Sequence, residues 1–172
     1  MKRPQPTARE RSFSEHEIIV SKTDLKGRMT YVNDVFCKVG LYDEEELLGQ
    51  PHSIVRHPDM PRCIFALLWE RIQSGREIFA YVKNMAKNGD HYWVLAHVTP
   101  SYDGNGQIDG YHSNRRVPDR AALAVIEPLY RDLLAIEQAA PDRKTGLASS
   151  LEQVAALLDD KGMTYDEFIF SL

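Results

Sequence analysis

The spacing of apolar residues changes period several times along the chain, and each change predicts an element. Two short strand-like runs, "HEIIVSKTD" and "MTYVN", flank the turn residues "DLKGR", and predict a hairpin around Lys26-Gly27. The next stretch, "DVFCKVGLYDEEELLGQPHSIVRHPDMP", sustains no apolar period beyond two turns. Gly40, Gly49, Pro51, Pro58 and Pro61 interrupt it, which predicts short helical turns. From Arg62 to Gln73, Ile64, Leu67, Leu68 and Ile72 recur at helical spacing, Phe65 and Trp69 widen the apolar side, and Ser74-Gly75 closes the helix. The period then falls to two. "EIFAYVKNMAK" and "HYWVLAHVTPSY" flank Asn88-Gly89-Asp90, a strong hairpin signal, and "DGNGQ" leads into a further strand, "IDGYHSNRRV".

Strands interrupted by a helical block predict an α+β fold with helices against one side of an antiparallel sheet. After Pro118 the pattern is helical. Leu123, Ile126, Tyr130, Leu133 and Leu134 mark one face of a helix from Asp119 to Gln138, which "AAPDRKTG" breaks. Ser150 with Gln153 reads as a capping box near the start of a shorter helix ending at Lys161-Gly162. Thr164 with Glu167 reads as a second box before the apolar "YDEFIFSL", an end expected to be docked on its own domain or on a partner. The expected organisation is a flexible or capping arm over residues 1–14, a domain over 15–118 and a C-terminal helical extension over 119–172.

Composition narrows the function classes. A net charge of −4 and the lack of a basic cluster argue against nucleic acid; Arg115 and Arg116 are adjacent, but on a strand they point to opposite faces. No apolar run approaches the roughly 18 residues of a membrane span, and "MKRPQPTARERS" lacks the apolar core of a signal peptide, so the cytoplasm is the expected location. Cys37 and Cys63 read as reduced, partly buried thiols. His52 and His57, five apart and flanked by Pro51 and Pro58, do not form a helical metal pair. No phosphate loop, nucleophile elbow or carboxylate pair points to an enzyme, and "GNGQIDG" lies in a hairpin with no helix after it.

The segments "GRMTYVNDVF", "LLGQPHSIVRHPDMP", "VKNMAKNGDHYWV" and "GYHSNRRVP", in this order, resemble a PAS domain, and more narrowly the PAS sensor of the bacterial aerotaxis receptor type. The similarity runs from about Ser14 to Leu134. It implies a five-stranded antiparallel sheet with helices across one face, a pocket between them that holds FAD, and redox sensing. Residues that the family implicates in flavin binding or signalling correspond to Asn33, Arg56, His57, Asp59 and Asn84.

Each of these also has a plainer reading from its own chemistry. Arg56 and His57 could donate to a flavin, or Asp59 could cap the helix that begins near Pro61 with Arg56 as its ion-pair partner. Asn33 could cap a helix and Asn84 satisfy a bulge. Trp69 and Trp93 read as core, and Trp69 also joins the candidate cofactor-contacting set. His91, His97 and His112 read as half-buried strand histidines, with an axial haem ligand as the sharper alternative. In "EIFAY", Ile78 and Ala80 stand where the aerotaxis type carries Trp and Gly, and the bulk of Phe79 and Tyr81 is expected to narrow the pocket.

The expected function is therefore a stand-alone cytoplasmic sensor. It would be a homodimer that binds flavin and signals to a protein of a chemotaxis or sensory pathway through its C-terminal helices. The alternatives are a cofactor-free interaction module, or a sensor of haem or another small ligand.

Overall fold

The structure, a computed structural model, describes residues 4–172. Five strands form one antiparallel sheet: β1 (Ile19–Thr23), β2 (Met29–Val32), β3 (Ile78–Met85), β4 (His91–Tyr102) and β5 (Ile108–Arg116), in the spatial order β2-β1-β5-β4-β3. The period-two segments thus become the long meander, with β4 registered against β3 (Asn84 opposite Tyr92) and against β5 (Ala96 opposite Arg115).

Between β2 and β3 the chain forms α1 (Asp34–Gly40), α2 (Glu44–Leu47), a 3-10 turn at His52–Val55 and α3 (Arg62–Gln73), and these cover one face of the sheet. Asn33 starts α1 as its cap, since Oδ1 accepts from Phe36 N. It also ties the helix to β1, accepting from Val20 N and donating to Ile18 O.

The arm before β1 has no helix or strand among its described residues, but it is strapped to the β3–β4 hairpin. Thr7 N donates to Gly89 O, and Arg11 N to His91 O. Gly89 permits this: its φ is +93°, and a Cβ there would meet Gln5 O at 2.0 Å.

After β5, α4 (Arg120–Ala139) and α5 (Arg143–Lys161) form a helical hairpin, followed by α6 (Tyr165–Phe170). Two expectations change here. The break spans only Ala140–Asp142, because Asp142 caps α5 by accepting from Lys144 N and Thr145 N. Ser150 is therefore no cap: it lies in mid-helix, fully buried, and donates to Glu137 Oε1. The Thr164–Glu167 capping box forms as expected.

Of these helices, α4 and α6 close the β3 edge of the sheet. Tyr130 Oη donates to Tyr81 O at 2.7 Å, Trp93 lies beside Tyr130, and Phe170 packs on Phe79. Covering an edge strand in this way removes a template for unwanted pairing. Phe168 and Ile169 are buried in the same core that α3 and the sheet build, so the apolar end docks on its own chain. No helix among the described residues is long and apolar enough to cross a membrane.

Candidate functional site

The helical face of the sheet does not close completely on α3. Between them lies a cavity of about 270 Å³, near the lower end of the roughly 300–1,000 Å³ of small-molecule sites. From α3, Phe65, Leu68, Trp69 and Ile72 form one wall; this is the helix's apolar side, and three of the four stay half-buried because they face the cavity. The sheet contributes Val82 and Asn84 of β3, Ala96 and Val98 of β4, and Tyr111, Ser113 and Arg115 of β5. The exposed residues Lys26, Pro51 and Ser53 stand at the rim.

Three of the six candidates border this space: Arg56, Trp69 and Asn84. Arg56 lies flat over the Phe65 ring, 3.9 Å from its centroid, and its backbone bridges to Asn84. Trp69 packs edge-on against Tyr111. Asn84 is buried, and its Nδ2 has no hydrogen-bond partner among the described residues.

The other three lie outside the cavity. Asn33 is the α1 cap described above. His57 is buried beside His91, with ring centroids 5.9 Å apart, and its Nδ1 accepts from Asp59 N. Asp59 does not cap α3. It is 58 % exposed and accepts from Lys83 Nζ at 2.6 Å, while Arg56 is turned onto Phe65 instead of onto Asp59.

The α3 cap comes from far along the chain. Glu137 of α4 accepts from Arg62 N and Cys63 N at 2.9 Å each, from Arg62 Nε at 3.0 Å and from Ser150 Oγ at 2.9 Å. At the other end of α3, Arg71 donates both to Asp166 Oδ1 and to Oδ2, which ties that end to α6. The helix that walls the cavity is thus clamped at both ends to the C-terminal helices. Cys63, beneath the Glu137 cap, is pushed up to about 11 by burial, so it stays a thiol.

The bulk of "EIFAY" does not line the cavity. None of Ile78, Phe79, Ala80 and Tyr81 borders the cavity. The strand period sends Phe79 to the far face, where it stacks on His97 at 4.1 Å.

Residue-level reading missed the polar corner of the site. Arg115 is 2 % exposed; Nη2 donates to Ser21 Oγ at 2.5 Å, Nη1 to His52 Nε2 at 3.1 Å, and the guanidinium sits 4.5 Å from the Phe36 ring centroid. Because Arg only donates, His52 Nε2 acts as acceptor, and burial together with the Arg115 charge holds this imidazole neutral, down to about 3. The available signal was strand phase: Arg115 shares the inward phase of Tyr111 and Ser113, whereas Arg116 is exposed. His112 also borders the cavity and pairs with Asn114.

A sheet with helices over one face and a polar-cornered cavity beneath them defines a small α+β domain built around an internal pocket. Residues 29–115 match the family described as the PAS fold, and the chain belongs to that family. It is 42 % identical to the aerotaxis receptor of Escherichia coli over 130 residues, which are 76 % of this chain and 26 % of the receptor. The chain therefore spans about a quarter of that relative's length. Among solved structures, a PAS domain from Colwellia psychrerythraea is similar with a TM-score of 0.55 and 21 % identity, covering 59 % of this chain and 86 % of that one. A light-oxygen-voltage domain studied with a flavin analogue gives a TM-score of 0.56 at 17 % identity, over 67 % of this chain and 87 % of that one. At these identities the two structures speak for the fold alone.

Proposed function

We propose that this PAS domain is a sensor that holds FAD in its cavity and passes the state of the flavin to a protein partner through α3 and the C-terminal helices. The observation that carries the reading is the cavity's donor set. Asn84 Nδ2 and Arg115 Nε are buried on cavity residues with no partner among the described residues, and a flavin ring presents carbonyl oxygens and ring nitrogens that accept from such groups. The apolar α3 wall suits the flat, largely apolar remainder of the ring. The similarity to the aerotaxis receptor supports the same reading.

When bound, the flavin supplies reversible electron transfer. The chain's own residues hold and report it. Arg56, Trp69 and Asn84, which border the cavity, would hold the ring system, and Asn33, His57 and Asp59 would position the segments on either side. α3 walls the cavity and is clamped at Glu137 and Asp166, so a change in its packing would reach α4–α6 through those two contacts as a shift between two populated arrangements. The exposed apolar residues Val125 of α4 and Phe170 of α6 offer contacts for a second copy or for a protein of a chemotaxis or sensory pathway. The working location is the cytoplasm.

The test is an absorption spectrum of gently purified protein, followed by titration with FAD. Flavin bands or saturable FAD binding are expected. Absence of both overturns the flavin, and a Soret band would identify haem instead.

A further inference from the structure

Arg115 is a buried cation with no anion. Its partners, Ser21 Oγ and His52 Nε2, are both neutral, and no carboxylate among the described residues lies within ion-pair reach. Among the described residues Tyr92 also acts on its charge, and burial pushes that hydroxyl up, so it stays neutral as well. Burial depresses the guanidinium to about 10, which still leaves it charged at neutral pH. Nε has no partner, and in the same cavity the Asn84 Nδ2 donor is open too. An isolated charge out of water is costly, and proteins ordinarily pair it or give it a ligand. The other buried charge of this kind follows that rule, since Glu137 and Arg62 pair at the N-terminal end of α3.

We propose that the cavity is built for a ligand that brings a negatively charged group to Arg115, with Asn84 donating to an acceptor on the same ligand. Arg115 is then the residue that sets charge specificity, preferring an anionic ring or carboxylate to its neutral isostere. This rests on the reading of the cavity as a ligand site. It does not require the ligand to be a flavin, although a flavin ring that carries negative charge qualifies.

The probes are benzoate and benzamide, which share size and shape but differ in charge, titrated calorimetrically into the full ligand-free chain. Benzoate should bind about tenfold more tightly, the worth of one charge-assisted hydrogen bond. In Arg115→Met the preference should vanish, and in Arg115→Lys it should survive in part. The wild-type comparison needs no variant, so a misfolded Met variant would not rescue the idea. Equal affinities, no binding of either probe, or a preference that persists in Arg115→Met overturns it. FAD binding without a benzoate preference removes the anion assignment and leaves the flavin reading intact; the reverse result removes the flavin and leaves the anion site.

Discussion

Two buried side chains of opposite charge, Glu137 at the N-terminal end of α3 and Arg115 at the cavity that α3 walls, are treated differently by the fold. Glu137, 5 % exposed, receives two backbone N–H donors, a guanidinium and a hydroxyl. Arg115, 2 % exposed, has two neutral partners and an open Nε. A closed network in a protein interior fixes structure, whereas an open one stores a capacity to bind. The comparison separates the half of the domain that holds α3 in place from the half that awaits something.

The largest effect should come from opening the closed network. Glu137→Ala removes the cap of α3 and the partner of Arg62, and should cost about 3 kcal/mol in a urea melt. The pH dependence follows from the same contacts. Burial alone would raise the Glu137 carboxyl, but the N–H groups of Arg62 and Cys63, the Arg62 guanidinium and the Ser150 hydroxyl outweigh it, and the net shift is downward. A carboxyl lowered on folding contributes stability that is complete above its unfolded value and lost as pH falls through the folded one. The gap between wild type and Glu137→Ala should therefore be constant near neutrality and close below about pH 4. A gap that persists in acid would show that packing, not the ionised cap, carries the effect.

A smaller effect probes the same junction through shape. A Cβ at Gly146 of α5 would stand 2.7 Å from Glu137 O and 3.1 Å from Arg62 Nη2. Gly146→Ala should gain about 1 kcal/mol in helix propensity, yet lose more by forcing α5 away from α4, for a net cost of about 1–2 kcal/mol. Stabilisation would mean that the α4–α5 packing has slack.

Opening the already open network should have the reverse sign. Arg115→Met removes a buried charge and leaves Ser21 Oγ and His52 Nε2, 3.2 Å apart, to pair with each other, so the ligand-free protein should gain about 1 kcal/mol. A loss of similar size would show that the two hydrogen bonds outweigh the desolvation of the guanidinium, and would weaken the contrast with Glu137.

Legibility in the sequence follows how local each feature is. The Asn88-Gly89-Asp90 hairpin, the helix over Arg62–Gln73, and the Thr164–Glu167 box depend on residues a few positions apart, and the structure has all three. Asn33 was readable as a cap for the same reason. The α3 cap was not, because Glu137 lies 75 residues from Arg62, and nothing near Pro61 announces it. Ser150 misled for the opposite reason: a local Ser-x-x-Gln pattern imitated a cap, while the hydroxyl was committed to Glu137. Of the cavity, strand phase placed Arg115 and Arg116 on opposite faces without telling which face was inside. The burial of Arg115 depends on Ser21 and His52, 94 and 63 residues away. The bulk of Phe79 and Tyr81 is legible in the sequence, but the strand phase that keeps both out of the cavity shows only once the inward face is known.

The smallest effect belongs to Asp59, the acidic residue of "RHPDMP". Its position two residues before Pro61 suggests a cap, yet α3 is already capped by Glu137, and Asp59 instead meets Lys83 from the side of β3. Burial raises its carboxyl, but the Lys83 hydrogen bond and charge, with smaller help from His57 and His91, bring it down overall. At 58 % exposure that shift is largely screened by solvent, and exposed pairs of this kind contribute a few tenths of a kcal/mol. Asp59→Asn keeps the backbone N–H that donates to His57 Nδ1, so only the ion pair is lost. The urea midpoint should barely move, and what movement there is should disappear in high salt. A cost above about 1 kcal/mol, insensitive to salt, would mean that Asp59 supports the His57–His91 pair beneath it, and the satisfied side of the domain would then extend to the turn before α3.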